Sequence, residues 1–159
     1  MPLCTIARYF NTFGGNALCC AAGLAVLDVI ERDDLCRKAS DVGRYLMDAL
    51  ETLKEREDGA GRLIGDIRGS GLFVGVEFVQ DRDSRDLVPA AAQTSILVTR
   101  LKDEHQILTS IDGPDDNVLV MKPPMCFNRD NVDLLVSKMA LVLQGITEED
   151  VRAYTHTPT

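Results

Sequence analysis

The sequence predicts an α+β protein in which a short, mainly antiparallel sheet packs with about four helices. Three observations lead to this prediction: an apolar helical segment near the start, an alternating strand pattern on both sides of a Gly-Ser-Gly turn, and one-sided helical periodicity in later segments. The elements then follow in the order helix, helix, hairpin, helix, strand, strand, helix. No internal repeat interrupts this order.

Two helices are predicted before the hairpin. The first covers residues 16–31, and its apolar side chains face almost every direction, which is typical of a helix buried on all sides. The second extends from Leu35 to about Arg56 and has one apolar face, with charged residues elsewhere. Residues 55–62 are polar and rich in glycine, which indicates a loop between this helix and the hairpin.

The hairpin and the elements after it are read from strand alternation and turn residues. In the second hairpin strand, Leu72, Val74, Val76 and Phe78 share one face, and Gly75 indicates a bulge or a close neighbour. The later elements are a polar connection over 81–89, a helix over 90–104, a strand over 106–110, a turn over 111–117, a strand over 118–121 ended by Pro123-Pro124, and a helix over 130–144 capped by Asn128. Residues after 146 are expected to fray.

Composition excludes several classes of function. The 159 residues correspond to one domain, and the net charge of -8 argues against nucleic acid as the main partner. The apolar run 17–30 is too short to span a membrane, and the first ten residues do not resemble a signal peptide, so we expect an intracellular protein with no membrane partner. Five cysteines without regular spacing predict reduced thiols that pack as small hydrophobes, with neither zinc nor a disulfide framework.

The best candidate for a chemical site is the "NTFGGN" turn at residues 11–16. A hydroxyl and two glycines before a helix present backbone N–H groups at its positive end, which suits an anion such as phosphate. An ordinary helix entry capped by Thr12 or Asn16 explains the same residues, and spacing alone leaves both interpretations open. Other candidates are weaker: Lys122 and His105 are typical of solvated surface residues, and nothing in the sequence pairs the carboxylates of Asp66, Glu77 and Asp112.

Four strings together resemble the carboxyl-terminal part of class III aminotransferase-type enzymes. They are "FNTFGGN", "DIRGSGLFVGV", the "DG…N" turn and "KPPMCF", and the resemblance covers residues 9–145. The enzymes of this family have fold type I and depend on pyridoxal 5'-phosphate. The most similar subgroup is the phospho-lyases that act on ethanolamine phosphate and 5-phosphohydroxy-lysine.

The resemblance implies roles for the turn. In the family, its threonine binds the cofactor phosphate of the neighbouring subunit across a dimer interface, and Thr12 matches that threonine. Gly14 and Gly15 would shape the turn. In the implied domain order, residues 1–15 belong to the large-domain interface, 16–34 to a connecting helix, 35–146 to the small domain and 147–159 to a flexible tail.

The resemblance also implies that the chain is a carboxyl-terminal fragment or a truncated form. The family's Schiff-base lysine and the aspartate that pairs with the pyridine nitrogen lie upstream of the turn, and no lysine precedes Thr12 here. We therefore expect no turnover by the chain alone. The implied parent reaction removes a proton beside the substrate amine, releases phosphate from the next carbon and yields aldehyde and ammonia. The alternatives are a fragment of a transaminase and a non-catalytic module that pairs with full-length subunits.

One departure from the family concerns the substrate. Many members carry a basic residue three positions before the Pro-Pro pair, where it meets a substrate carboxylate, and Val120 stands there. Lys122 shares a strand face with Val120 if the strand continues to that point. The family implies a homodimer, a small phosphorylated amine as substrate and a mitochondrial location, although no transit peptide is visible.

Overall fold

The structure is a computed structural model that describes residues 11–12 and 14–155. Within these residues it contains five helices and a four-stranded sheet, so the prediction of an α+β fold is confirmed. The elements are α1 (Ala17–Arg32), α2 (Leu35–Lys54), β1 (Ile64–Ser70), β2 (Phe73–Phe78), α3 (Ala91–His105), β3 (Ser110–Asp112), β4 (Val118–Met121), α4 (Arg129–Gln144) and α5 (Glu148–Thr155). The chain divides into two compact units, of which the first ends at Cys36 and the second begins at Arg37.

The first unit contains α1, and none of the helix's residues is buried. Its large apolar side chains other than Ile30 are exposed, from 38% at Val29 to 81% at Leu18. The helix itself was predicted correctly, but the expectation that it is buried on all sides is wrong for this chain. A helix apolar in every direction buries its side chains only where neighbours surround it. The expectation that cysteines act as core residues is also wrong for Cys19, Cys20, Cys36 and Cys126, which are exposed.

The sheet of the second unit is antiparallel throughout, with the strand order β1-β2-β4-β3. β1 and β2 form the predicted hairpin, and Leu72, Val74, Val76 and Phe78 are all buried as expected. The register irregularity lies between Ile64 and Asp66 and not at Gly75. Gly75 instead has the close neighbour that the sequence offered as the alternative, because a Cβ there would lie 3.3 Å from Val118 Cγ1.

One face of the sheet packs on helices and forms the core. Leu46 and Leu50 of α2, Leu97 and Leu101 of α3, and Met139 of α4 are fully buried in the same cluster as the sheet side chains. This burial follows from the one-sided apolar periodicity of these helices. The Tyr45 hydroxyl of α2 donates a hydrogen bond to Asp133 Oδ1 of α4 over 2.7 Å, which raises the pKa of Tyr45.

Two segments differ from the sequence prediction. The strand expected over 106–110 starts instead at Ser110, because Gln106 adopts a left-handed conformation that ends α3, and pairing begins between Ser110 and Val120. Residues 148–155 form α5, where a frayed tail was expected. Asp150 accepts hydrogen bonds from the backbone and hydroxyl of Thr147, which cap this helix, and its other oxygen accepts one from Arg100 of α3.

Candidate functional site

The turn before α1 contains the three residues predicted to bind the cofactor. Thr12, Gly14 and Gly15 are exposed, and residue 13 lies outside the described residues, as do residues 1–10 of the expected interface segment. The Gly14 N–H donates to the Asn11 carbonyl over 3.3 Å, which closes a turn. Gly15 has φ +76°, a left-handed conformation that glycine adopts without strain, so a side chain at this position would distort the turn.

The start of α1 presents backbone donors next to this turn. Asn16 caps the helix, and its side chain accepts a hydrogen bond from Cys19 N over 2.9 Å. The sequence left open whether Thr12 or Asn16 is the cap, and the structure assigns that part to Asn16. The hydroxyl of Thr12 is exposed and is not used as the cap.

The donor set of this turn fits a phosphate group in kind. It combines an exposed hydroxyl, a glycine-shaped backbone and the positive end of a 16-residue helix. A helix N-terminus attracts anions because its first N–H groups lack intrahelical partners and the helix dipole is positive there. The structure thus brings together Thr12, Gly14 and Gly15, and leaves their assignment to the cofactor as a prediction.

A second group of candidate side chains lies on the sheet face opposite the core, which we call the open face. It carries Asp66 and Arg68 of β1, Phe73 and Glu77 of β2, and Lys122 just after β4. Arg68 Nη1 donates to Asp66 Oδ2 over 2.7 Å and to Glu77 Oε2 over 2.6 Å. These two hydrogen bonds raise the pKa of Arg68. The expectation that nothing pairs Asp66 with Glu77 is therefore wrong.

Arg68 was missed as a site residue, although its signal was present in the sequence. Alternation along β1 places residues 66 and 68 on one face, and the hairpin register places Glu77 directly opposite Asp66. Arg68 lies two residues after Asp66 on the same face of β1, within reach of both facing carboxylates, and it bridges them. The bridge leaves the open face with one arginine whose charge is offset by two acidic neighbours.

Lys122 and His105 occupy different surroundings. The exposed Lys122 lies with its Nζ 5.0 Å from the centre of the Phe73 ring, on the same face as Arg68. His105, expected to be a surface residue, is half-buried at the end of α3, and its Nε2 is buried without a hydrogen-bond partner among the described residues. Asp112 is exposed, and its Oδ1 accepts from Gly113 N over 2.8 Å.

A shallow concavity of about 480 Å³ lies on the open face. Its lining includes Arg68, Phe73, Gly75, Asp112, Val118 and Val120. A second concavity of about 330 Å³ includes Lys122, Pro123, Phe127 and Leu135 in its lining. Phe73 lines the first and Lys122 lines the second, so the two side chains in contact stand where the concavities adjoin.

Comparison with known proteins identifies the family. The family model described as aminotransferase class III matches residues 3–143. This chain belongs to the class III aminotransferase family. An alanine–glyoxylate aminotransferase 2-like protein of Drosophila melanogaster is 44% identical over 151 residues, which are 95% of this chain and 29% of that protein. An ethanolamine-phosphate phospho-lyase homolog of Caenorhabditis elegans is 39% identical over 135 residues, 85% of this chain and 28% of that protein.

Solved structures of the family share the fold. A phospholyase from Arthrobacter, solved in complex with phosphoethanolamine, superimposes with a TM-score of 0.77 at 40% identity, over 87% of this chain and 31% of that one. An amine transaminase from an uncultivated Pseudomonas species, solved in its PLP-bound form, superimposes with a TM-score of 0.71 at 32% identity, over 87% of this chain and 30% of that one. The aminotransferase resemblance is confirmed, and the chain spans less than a third of the length of these relatives.

The described residues contain no helix long and apolar enough to cross a membrane.

Proposed function

We propose that this chain supplies the small, carboxyl-terminal domain of a pyridoxal-phosphate-dependent phospho-lyase that converts an amine phosphate to aldehyde, ammonia and phosphate. The observation that carries the proposal is the likeness to the Arthrobacter phospholyase, at 40% identity and a TM-score of 0.77. The phospho-lyase homolog of Caenorhabditis elegans supports it independently. In the proposed division, residues 35–146 form the small domain and 16–34 the connecting helix.

In the proposed enzyme, Thr12, Gly14 and Gly15 hold the phosphate of the cofactor bound to a neighbouring subunit. The Thr12 hydroxyl donates a hydrogen bond to a phosphate oxygen, and Gly15, with φ +76°, keeps side chains out of the approach. The positive end of α1 stabilises the negative charge. Bound pyridoxal phosphate supplies the electron sink for the reaction.

A chimera tests the reaction directly. The part of the Arthrobacter phospholyase that this chain matches is replaced by this chain, and the purified chimera is incubated with phosphoethanolamine. We expect release of phosphate and aldehyde in equal amounts. The alternative is transamination, which the 44% identity to the alanine–glyoxylate aminotransferase 2-like protein supports. Transfer of the alanine amino group to glyoxylate without phosphate release from phosphoethanolamine would overturn the lyase proposal.

The same chimera tests the turn. Thr12→Ala removes the hydroxyl donor and is expected to weaken retention of pyridoxal phosphate about tenfold or more, since a hydrogen bond to a charged group contributes roughly 1.5–3 kcal/mol. Thr12→Ser keeps the donor and serves as the matched control. Cofactor retention is read from absorbance after dialysis, independently of turnover. Equal retention by the alanine and serine variants would remove Thr12 from the proposed site.

We also propose that the 159-residue chain does not turn over phosphoethanolamine by itself. One support is that the chain spans less than a third of the length of its relatives. The other is that the resemblance places the family's Schiff-base lysine, and the aspartate that pairs with the pyridine nitrogen, in the part of the relatives that this chain does not match. The measurement is phosphate release by the purified chain with added pyridoxal phosphate. Catalytic release above the level without protein would contradict this proposal.

A second candidate function is assembly, either as a homodimer or by pairing with a full-length subunit. The observation that favours it is α1, whose apolar Leu18, Leu24, Val26 and Leu27 are each more than half exposed. An apolar surface of this kind marks an interaction site. Sedimentation velocity of the chain, alone and with a full-length relative, is expected to show association that Leu24→Glu weakens. A chain that stays monomeric in both mixtures would end this candidate.

A mitochondrial location is part of the proposal. Its support is a relative from Arabidopsis thaliana, 45% identical over 85% of this chain, whose name describes it as mitochondrial. Imaging of the complete gene product with a carboxyl-terminal fluorescent tag is expected to show overlap with a mitochondrial marker. A diffuse signal that does not overlap with this marker would contradict it.

A further inference from the structure

The open face carries three cross-strand rows of residues. In the first row Ser70 faces Phe73, and in the second Arg68, Gly75 and Val120 follow one another across three strands. In the third, Asp66, Glu77 and Val118 do the same. The β2–β4 ladder ends at the pair Val74 and Met121. Phe73 precedes Val74 and Lys122 follows Met121, so in antiparallel strands these two residues lie beside each other. The prediction that Lys122 shares a face with Val120 agrees with this arrangement.

Gly75 makes the centre of the open face concave. It lies between Arg68 and Val120 in the second row and contributes no side chain, so the surface dips there into the concavity of about 480 Å³. A Cβ at Gly75 would lie 3.3 Å from Val118 Cγ1, close enough to displace that side chain. The result is a recess whose lining includes the valines Val118 and Val120 and two residues of opposite charge, Arg68 and Asp112.

Two cations lie near the recess and differ in how their charge is offset. Arg68 lines the recess itself, whereas Lys122 lines the adjoining concavity. Arg68 forms ion pairs with the carboxylates of Asp66 and Glu77, with N–O distances of 2.7 and 2.6 Å. Lys122 forms no ion pair with any carboxylate in the described part of the chain, and its side chain instead contacts the ring of Phe73. A ring face attracts an ammonium group without accepting its N–H donors in strong hydrogen bonds. Lys122 is therefore oriented by Phe73 while its donors remain available to an anion.

Phe73 is itself unusual on this surface. It is 59% exposed, and it lies at the first position of β2 and in the lining of the recess. It therefore offers an apolar ring and, through Lys122, a fixed positive charge to the same ligand. A small molecule with a short carbon chain and a terminal anionic group complements this pair.

We propose that Lys122, oriented by Phe73, contacts the phosphate group of the substrate, a short amine carrying a phosphate monoester. This inference rests on the proposed phospho-lyase function, which supplies the substrate class. It assigns the anion contact to Lys122, which directly precedes Pro123. Val120, two positions earlier on the same sheet face, has no charge that could make this contact. Phosphate accepts hydrogen bonds from the ammonium donors, which strengthens the contact beyond simple attraction.

The test uses the full ¹⁵N-labelled chain and follows backbone amide shifts during titration with O-phosphoethanolamine, inorganic phosphate, ethanolamine and glutarate. We expect both phosphate compounds to shift the amides of Phe73 and Met121 saturably, while ethanolamine leaves them unchanged. Raising the salt concentration should weaken the binding, because exposed charges are screened. No saturable shift with phosphoethanolamine would overturn the proposal, and so would a stronger response to glutarate than to phosphate.

Variants separate the contact from general surface charge. Lys122→Ala is expected to weaken the apparent affinity for phosphoethanolamine roughly fivefold, the upper range for an exposed ion pair. Lys122→Arg should retain it, and Phe73→Leu should lower it by removing the ring that orients the ammonium. The matched control is Lys38→Ala, because Lys38 is also exposed and lies on α2. An affinity unchanged in Lys122→Ala, or equally reduced in Lys38→Ala, would overturn the proposal.

These outcomes are independent of the chimera's activity. Binding that depends on Lys122 without phosphate release by the chimera would refute the lyase function and leave the anion contact standing. Phosphate release by the chimera together with binding that does not depend on Lys122 would support the lyase function and overturn the anion contact.

Discussion

Gly43 of α2 and Gly71 of the hairpin turn touch backbone to backbone. A Cβ built on Gly43 would lie 2.0 Å from the carbonyl oxygen of Gly71 and 2.4 Å from its carbonyl carbon. Gly71 itself has φ +55°, a conformation that favours glycine. Helix and hairpin thus meet through two residues without side chains, and this contact fixes how closely α2 approaches the sheet.

The first prediction follows from this contact. Gly43→Ala forces a Cβ into a backbone oxygen that cannot rotate away, so we expect destabilisation by at least about 1–3 kcal/mol, the range for overpacking a core. Helix propensity alone would favour alanine by roughly 1 kcal/mol, so the loss opposes the intrinsic preference. The measurement is the urea midpoint of the second unit's unfolding transition.

Gly23→Ala is the matched control, because Gly23 is also helical but has no neighbouring atom within 4 Å of the position that a Cβ would take. We expect no loss of stability in this variant, because an unobstructed alanine keeps the helix propensity gain of roughly 1 kcal/mol. Equal stability of both variants would show that α2 does not pack on the hairpin as described.

Much of the fold could be predicted from the sequence, because in most elements the local periodicity of apolar residues matches the face that is buried. The strand over 118–121 and the cap at Asn128 were predicted at their observed positions, since an apolar run before two prolines and an asparagine before a helical pattern act locally. The strand at 110–112 was misplaced because its position depends on pairing with Val120, a contact that local pattern does not encode. The α5 helix was missed although its cap is local, because Thr147 and Asp150 are three residues apart. Only the hydrogen bond from Arg100, fifty residues away, depends on the tertiary fold.

The candidate site was predictable to a smaller extent. Thr12 and its glycines were singled out from turn chemistry, and the structure shows an exposed turn at the start of α1. The Arg68 bridge and the pairing of Lys122 with Phe73 were missed, because both depend on which residues of β1, β2 and β4 face each other across the sheet. Register becomes visible only once the strands are paired.

The second prediction concerns the Arg68 bridge. Arg68→Ala leaves Asp66 and Glu77 directly opposite each other on one face, and like charges in facing positions destabilise a sheet. Because Arg68 is 53% exposed, we expect a loss below about 1 kcal/mol at low salt, shrinking as the salt concentration rises. Chemical denaturation at two salt concentrations measures it.

Adding Glu77→Gln to Arg68→Ala should recover part of that loss, since the repulsion with Asp66 is then removed. The control is Arg152→Ala, which breaks an exposed ion pair with Glu148 without leaving two facing carboxylates on a sheet. A double variant less stable than Arg68→Ala alone would contradict the repulsion argument.

The third prediction concerns Asn117, which is 3% exposed and lies directly before β4. Its Nδ2 donates a hydrogen bond to the Phe78 carbonyl over 2.9 Å, and so links the end of β2 to the turn before β4. Asn117→Ala removes this donor, while the Phe78 carbonyl keeps the hydrogen bond that it accepts from the Ala90 N–H over 3.1 Å. We therefore expect a loss of about 0.5–1.5 kcal/mol, the net contribution of a typical hydrogen bond. Thermal unfolding measures the loss. Asp115→Ala, two residues earlier and exposed, is the comparison, and an equal effect in both would attribute the loss to the turn and not to the hydrogen bond.

The fourth prediction is a pH dependence of α5. Asp150 Oδ2 accepts hydrogen bonds from Thr147 N and Thr147 Oγ1, both over 2.8 Å, and Oδ1 accepts one from Arg100 over 2.5 Å. The backbone hydrogen bond from Thr147, then its hydroxyl, then the charge of Arg100 lower the pKa of Asp150 below its ordinary value of 3.8. A carboxylate with a lowered pKa in the folded state stabilises the fold above its unfolded pKa, and this contribution is lost as pH falls through the folded pKa.

We therefore expect the amide protection of Val151 to be constant near neutral pH and to fall below about pH 4, close to the ordinary pKa of an aspartate. Asp150→Asn removes the titrating carboxylate, so the amide protection of Val151 should already be lower at neutral pH. It should then not fall further below about pH 4 through Asp150. Glu149→Gln, at an exposed position next to it, should retain the original profile. If Asp150→Asn and the original chain lose protection with the same pH profile, the capping interaction does not hold α5 against α3.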